Sequence, residues 1–192
     1  VAHGRIFALF GSSILHALDL NGKLLWSHVL SDPDRFDVAL ASMASRRGRE
    51  KDVAKIAKAA KLPLAAPAES AAGKTYSSFW LSTEQWMIEA DFAAHEMIEV
   101  ELKALFGDAA SITEQTDAWV RFDVSAPDVL PLFERLCNVD IAKAVDGFAS
   151  RTVIEHIGCY LIKRSATEVT LYGPRSSAQS LLHVIEVAAR SL

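Results

Sequence analysis

At 192 residues the chain suffices for one domain, or one domain with an appendage, and 51% hydrophobic against 23% charged residues excludes a disordered chain. Its 24 acidic and 20 basic residues give a formal net charge of −4, opposite to the basic balance of a general nucleic-acid binder. Two cysteines are too few for a disulfide framework or a four-thiolate zinc site and point to a reducing cytoplasm, and no apolar run reaches the ~18 residues of a membrane span.

Residues 5–18 carry one arginine before an apolar stretch, as a signal peptide would. Gly11-Ser12-Ser13 and His16 break that stretch and no small-x-small cleavage site follows, so a strand pair is expected instead. Asn21-Gly22 lies between apolar runs at 14–20 and 23–30. This dipeptide adopts the positive φ angles of a type I′ turn, so the runs should form a hairpin with Ala17 opposite Trp26 and Leu18 opposite Leu25. Asp32-Pro33-Asp34 then breaks the pattern. Phe36, Leu40 and Met43 have helical spacing, and Val53, Ile56, Ala57 and Ala60 form a second helical stripe after Gly48.

Charge is unevenly placed. Residues 1–75 hold 11 basic and 7 acidic residues, and residues 76–192 hold 9 and 17. Arg46, Arg47, Arg49, Lys51, Lys55, Lys58 and Lys61 are opposed only by Glu50 and Asp52 within their stretch. Such a run is either a solvated helix face or a docking surface for an acidic partner. Residues 63–78, with Pro63, Pro67 and Gly73, read as an extended linker.

Further along, 79–81 and 85–89 predict strands, and Asp91 an N-cap before a stripe of His95, Ile98, Leu102 and Leu105 ended by Gly107. Residues 118–124 alternate, with Val120, Phe122 and Val124 on one face and Trp119, Arg121 and Asp123 on the other. Pro127 opens a helix, 151–156, 159–163 and 168–172 predict three strands, and Ser176 or Ser177 should cap a final helix through Leu181 and Ile185. Mixed strands and helices without regular alternation predict an α+β two-layer sandwich, ferredoxin-like, with a mostly antiparallel sheet and helices on one face. Three segments are expected: a hairpin at 1–33, a basic helical segment and linker at 34–78, and a main α+β domain at 79–192.

No sequence pattern supplies a catalytic set, a cofactor loop or a metal site. His95-Glu96-Met97-Ile98-Glu99 lacks the second imidazole of a zinc helix, and a core histidine is the plainer reading. Gly73-Lys74-Thr75 ends like a phosphate loop, but Ala68 stands where that loop needs glycine. Cys137 and Cys159 sit on apolar periodicities, and Ser176 and Ser177 lack the setting of a nucleophile. Trp80, Trp86, Trp119 and Arg121 have the composition of interface anchors. With Arg46, Arg47 and Arg49 they form the candidate partner interface.

Several phrases resemble a known family. They are Ser42-Met43-Ala44-Ser45-Arg46-Arg47-Gly48, Trp80-Leu81-Ser82 through Trp86, Thr116-Asp117-Ala118-Trp119-Val120-Arg121, Leu136-Cys137-Asn138-Val139-Asp140-Ile141, Arg151-Thr152-Val153-Ile154-Glu155-His156, and Gly173-Pro174-Arg175-Ser176-Ser177-Ala178. As an ordered set over residues 36–192 they resemble the gamma subunit of heterotetrameric sarcosine oxidase, itself related to folate-binding aminomethyltransferase-like domains. Residues 1–33 have no counterpart.

The resemblance implies a non-catalytic chain in a cytoplasmic complex with alpha, beta and delta subunits. That complex oxidises sarcosine, or another N-methyl amino acid, to the demethylated amino acid, releases hydrogen peroxide and passes the one-carbon unit to tetrahydrofolate. FAD, FMN, NAD and tetrahydrofolate would then sit in the partner subunits and no cofactor in this chain. The alternatives are a stand-alone folate-binding aminomethyltransferase-like protein, with Asp117, Asp123 or Asp140 facing the pterin, and a small ligand-binding α+β module.

Overall fold

The computed structural model describes the backbone of Arg5–Phe10, Ile14–Asp19 and Leu24–Val29, and residues 37–192 with their side chains. The chain divides into two units, one of Val1–Arg35 with Ala118–Leu192 and one of Phe36–Asp117. These boundaries cut across the expected division at 33 and 78. The asparagine-glycine turn, the Asp32-Pro33-Asp34 break and Phe36 lie outside the described residues.

The first unit is built on a seven-stranded antiparallel sheet. Its strands are β1 (Arg5–Phe10), β2 (Ile14–Asp19), β3 (Leu24–Val29), β9 (Trp119–Ser125), β10 (Ala149–Ile154), β11 (Ile157–Ser165) and β12 (Glu168–Pro174), in the order β10-β11-β12-β9-β1-β2-β3. The N-terminal hairpin forms as its sequence predicts. Ala17 pairs with Trp26, while a register shift places Leu18 opposite Leu24 rather than Leu25. Strict alternation puts Val120, Phe122 and Val124 in the core, where α4 (Leu130–Leu136) and α5 (Ala178–Arg190) deliver Leu132, Phe133, Leu181 and Ile185. Pro131 is tolerated because it lies at the start of α4, where its missing N–H has no helical partner to lose. Glu155 and His156 both have positive φ, so they form the tight turn between β10 and β11. Ser177 occupies the N-cap of α5 but makes no side-chain capping bond, contrary to expectation; a 3-10 turn over Arg175–Ser177 leads into the helix instead.

The second unit holds a five-stranded antiparallel sheet. Its strands are β4 (Val38–Ser45), β5 (Ser70–Ala71), β6 (Tyr76–Ser82), β7 (Gln85–Asp91) and β8 (Ala110–Glu114), ordered β5-β6-β7-β4-β8. Its helices are α1 (Glu50–Ala59), α2 (Phe92–His95) and α3 (Ile98–Phe106). The helical spacing read at Leu40 and Met43 is overturned, because β4 is a strand paired on both sides, to β7 and β8. Ala39, Leu40, Ala41 and Met43 are all buried, so the run carries no alternation to mark it as a strand. The expected linker is also overturned. The buried Ser78 hydroxyl donates to the Pro63 carbonyl at 2.6 Å and accepts from the Ala65 N–H at 3.0 Å, and Leu62 and Ala65 join the core. Asp91 caps α2 as predicted, accepting from the Ala94 N–H. The predicted long helix is interrupted at Met97, where φ −95° and ψ 38° open a new N-terminus for α3.

Candidate functional site

The second unit places the basic stretch on the entry to α1 and along its outer face. Val53 and Ala57 point into the core, and Lys51, Lys55 and Lys58 remain exposed. Arg46 pairs with Asp108 at 3.6 Å, Arg49 with Asp52 at 2.5 Å, and Arg47 is exposed. Exposed pairs of this kind stabilise little, so the bases present a charged surface more than a structural brace.

The two tryptophans of the β6–β7 hairpin separate in role. Trp86 is 7% exposed and its indole N–H donates to the Ala65 carbonyl at 2.8 Å. It is therefore a core residue with little surface to offer a partner, and it leaves the candidate interface. Trp80 is half-buried.

His95 does not share a site with Glu99, which pairs with Lys103. Its Nδ1 lies 2.8 Å from Glu101 Oε2, and the Tyr76 hydroxyl donates to that same oxygen at 2.9 Å. Burial raises the Glu101 carboxyl, but the bonds from His95 and Tyr76 outweigh it and hold the group below the usual carboxylate value. Burial, then the Glu101 carboxylate, pushes the Tyr76 phenol up to about 12. These three side chains brace β6, α2 and α3 together. Among the described residues no group of three or more His, Cys, Asp or Glu is placed to hold a metal ion. Gly73 has a steric explanation: a Cβ there would meet the Tyr76 carbonyl oxygen at 2.4 Å. Burial, with Cys137 nearby, pushes the Cys159 thiol up to about 11, which suits a core residue and not a nucleophile.

The first unit carries an open cleft of about 380 Å³, lined by polar and charged residues together with Val124 and Val169. Arg121, Asp123 and Ser125 come from β9, Arg164 from β11, and Glu168 and Thr170 from β12. Arg121 Nε lies 2.9 Å from Asp123 Oδ2. Thr170, 1% exposed, donates its hydroxyl to Asp123 Oδ1 at 2.6 Å and accepts from Arg164 Nε at 3.0 Å. Trp119 lies on the same strand face as Arg121, half-buried, with its ring 5.1 Å from that of Tyr160. Asp140 pairs with Lys143 at the surface, and Asp117 lies in the 3-10 turn before β9. The expectation singled out Arg121, Asp123 and Trp119 on this face. It missed Arg164 and Thr170, although Glu168 and Thr170 alternate with buried Val169 and Leu171 and so were readable as its neighbours.

No protein-family model matches the sequence, and no curated protein matches it significantly in sequence. The fold, however, is that of aminomethyltransferase-like chains. A chain of heterotetrameric sarcosine oxidase from Corynebacterium sp. U-96, solved in complex with pyrrole 2-carboxylate, superposes with a TM-score of 0.70 at 14% identity, covering 81% of this chain and 80% of that one. Glycine cleavage system aminomethyltransferase T from Bartonella henselae superposes with a TM-score of 0.60 at 11% identity, and the match covers 80% of this chain but only 47% of the transferase. No helix among the described residues is long and apolar enough to cross a membrane.

Proposed function

We propose that this chain is a non-catalytic, gamma-type subunit of a cytoplasmic heterotetrameric oxidase acting on sarcosine or a related N-methyl amino acid. The observation that carries this reading is the balanced superposition on a sarcosine oxidase chain, which spans four-fifths of both chains, so the two are of similar length. The ordered sequence phrases between Ser42 and Ala178 support the same reading. In it, FAD, FMN, NAD and tetrahydrofolate belong to the alpha, beta and delta partners. Trp80 with the Arg46, Arg47 and Arg49 stretch in one unit, and Trp119 with Arg121 in the other, are the surfaces offered to them.

A stand-alone folate-binding aminomethyltransferase-like protein is the second reading, favoured by the transferase fold. Against it, the chain spans less than half of the transferase. The test is affinity purification of the tagged full chain from its native cells, followed by flavin analysis and a peroxide assay with sarcosine. A stoichiometric flavoprotein complex that oxidises sarcosine or another N-methyl amino acid is expected. A chain that purifies alone and binds tetrahydrofolate one-to-one would overturn the subunit reading in favour of the second.

A further inference from the structure

α1 and α3 of the second unit lie side by side on one face of its sheet. Val53 and Ala57 of α1 and Ile98, Leu102 and Phe106 of α3 enter one core cluster. The Arg46–Asp108 pair at 3.6 Å ties the approach to α1 to the turn after α3. The sides of both helices that point away from this core therefore belong to one outer surface.

The two outward sides differ in chemistry. Lys51, Lys55 and Lys58 recur at i, i+4 and i+7, opposite the buried Val53 and Ala57, so α1 turns a basic ridge outward. None of the three forms an ion pair among the described residues. α3 turns an apolar ridge outward. Val100 and Ala104 lie opposite Ile98, Leu102 and Phe106, with Met97 just under one turn ahead of Val100. Met97 is 61% and Val100 50% exposed. A solvated helix carries its charges at that pole. On α3 they stand aside and are engaged, Glu99 with Lys103 and Glu101 with His95 and Tyr76.

We infer that this surface seats an amphipathic helix of a partner protein, apolar along the side that meets Met97 and Val100 and acidic along the side that meets Lys51, Lys55 and Lys58. Packed helices lie about 8–10 Å apart, so a third helix laid on the pair touches both ridges. Charge complementarity selects the acidic partner, and the flexible thioether of Met97 adapts to an apolar side chain laid against it. An anionic bilayer is a poorer match, because Glu96, exposed beside Met97, adds negative charge to the rim. The inference rests on the subunit reading for the source of the helix, which is another subunit of the complex, and on the two ridges for its chemistry.

The test titrates the ¹⁵N-labelled full chain with a synthetic helical peptide about five turns long, leucine on one face and glutamate on the other, and follows amide chemical shifts. A copy with lysine in place of glutamate, and one of the same composition in scrambled order, are the comparison peptides. Saturable shifts confined to residues 47–58 and 96–105 are expected with the acidic amphipathic peptide alone, weakening as salt rises. Met97→Ser with Val100→Ser should weaken binding about fivefold or more, and Lys55→Glu with Lys58→Glu about tenfold at low salt. All four positions are exposed, so each variant should keep a folded spectrum. Val187→Ser, exposed in the other unit, should change nothing. No saturable shift up to about 1 mM would overturn the inference. So would equal binding of the lysine or scrambled peptide, or folded variants with unchanged affinity. Concentration-dependent shifts at 96–105 without peptide would overturn it in favour of a second copy of this chain. Co-sedimentation with phosphatidylglycerol vesicles, lost in Lys55→Glu with Lys58→Glu, would overturn it in favour of a bilayer. Because the probe is a free peptide, its failure leaves the flavoprotein test of the subunit reading untouched.

Discussion

Trp80 and Trp86 stand directly opposite each other across the β6–β7 hairpin, yet Trp86 is buried and Trp80 only half so. The difference follows from sheet order. β7 is flanked on both sides by full strands, whereas β6 has only the two-residue β5 beyond it. Trp86→Ala should therefore cost about 3–5 kcal/mol in the free chain, as large core truncations do, and leave the Ala65 carbonyl without its donor. Trp80→Ala should cost only about 1 kcal/mol. Urea midpoints for both variants check this, and equal losses would contradict it.

Trp119→Ala separates surface from core on the other unit. Its ring contact with Tyr160 is worth about 0.5–1.5 kcal/mol beyond the area it buries, which sets the floor of the expected loss in the free chain. In the proposed oxidase assembly the same truncation should cost about 2 kcal/mol or more, because interface tryptophans act as anchors. Comparing the shift in complex dissociation constant with the shift in unfolding midpoint decides it. A larger effect on the free chain would place Trp119 in the core.

The basic stretch should govern how fast the complex forms. Reversing Arg46, Arg47 and Arg49 to Glu removes a local field that salt screens over ~8 Å at physiological ionic strength. We expect a slower association rate and a shallower salt dependence. Stability of the free chain should change by only about 1 kcal/mol, since the pairs lost to Asp108 and Asp52 are exposed. A wild-type rate that is flat with salt and matched by the variant would mark an ordinary solvated face.

The Tyr76, His95 and Glu101 brace should make stability depend on pH at both ends. Glu101 is held below its ordinary 4.5, so its contribution is present above that value and lost as pH falls through the lower folded value. Tyr76 is raised from 10.0 to about 12, so the folded chain holds this proton more tightly. Stability should then decline as pH climbs from 10 towards 12. Tyr76→Phe should reduce the alkaline loss, and Glu101→Gln the acid loss, in urea unfolding measured across pH. An alkaline limb unchanged in Tyr76→Phe would contradict the assignment.

Gly73→Ala should destabilise by about 1–3 kcal/mol, because the added methyl meets the Tyr76 carbonyl at 2.4 Å and the Pro63 ring at 2.9 Å. Lys74→Ala beside it should be nearly neutral, since Lys74 is exposed. Thermal melting of both distinguishes a packing glycine from part of a phosphate loop.

Where side chains alternate between water and core, the sequence is readable. β9 shows this, with Val120, Phe122 and Val124 inside and Trp119, Arg121 and Asp123 outside. So does the Ala17 and Trp26 pairing, which turn chemistry alone predicts. β4 is not readable, because a strand paired on both edges and buried at Ala39, Leu40 and Ala41 has no polar face to reveal its period. The 63–78 segment misleads for a different reason. Its prolines and glycine look like a flexible tether, but Ser78 bonds it to the core through contacts that a one-dimensional pattern cannot carry. The cleft is half legible for the same cause. Arg121 and Asp123 are neighbours on one strand, whereas Arg164 reaches them only through pairing of β11 with β12 and of β12 with β9.

The bond ladder between β1 and β9 has a consequence for synthesis. Phe10 pairs with Phe122, roughly a hundred residues later in the chain, and the whole second unit is translated between them. At about 5–20 residues per second, the β1–β3 meander leaves the ribosome several seconds before its partner strand exists. Throughout that interval the open edge of β1 is a template for any passing strand, including one from a neighbouring nascent chain. The yield of correctly paired protein should therefore depend on how promptly β9 arrives, so slow codons within the second unit would cost more product than slow codons after β12.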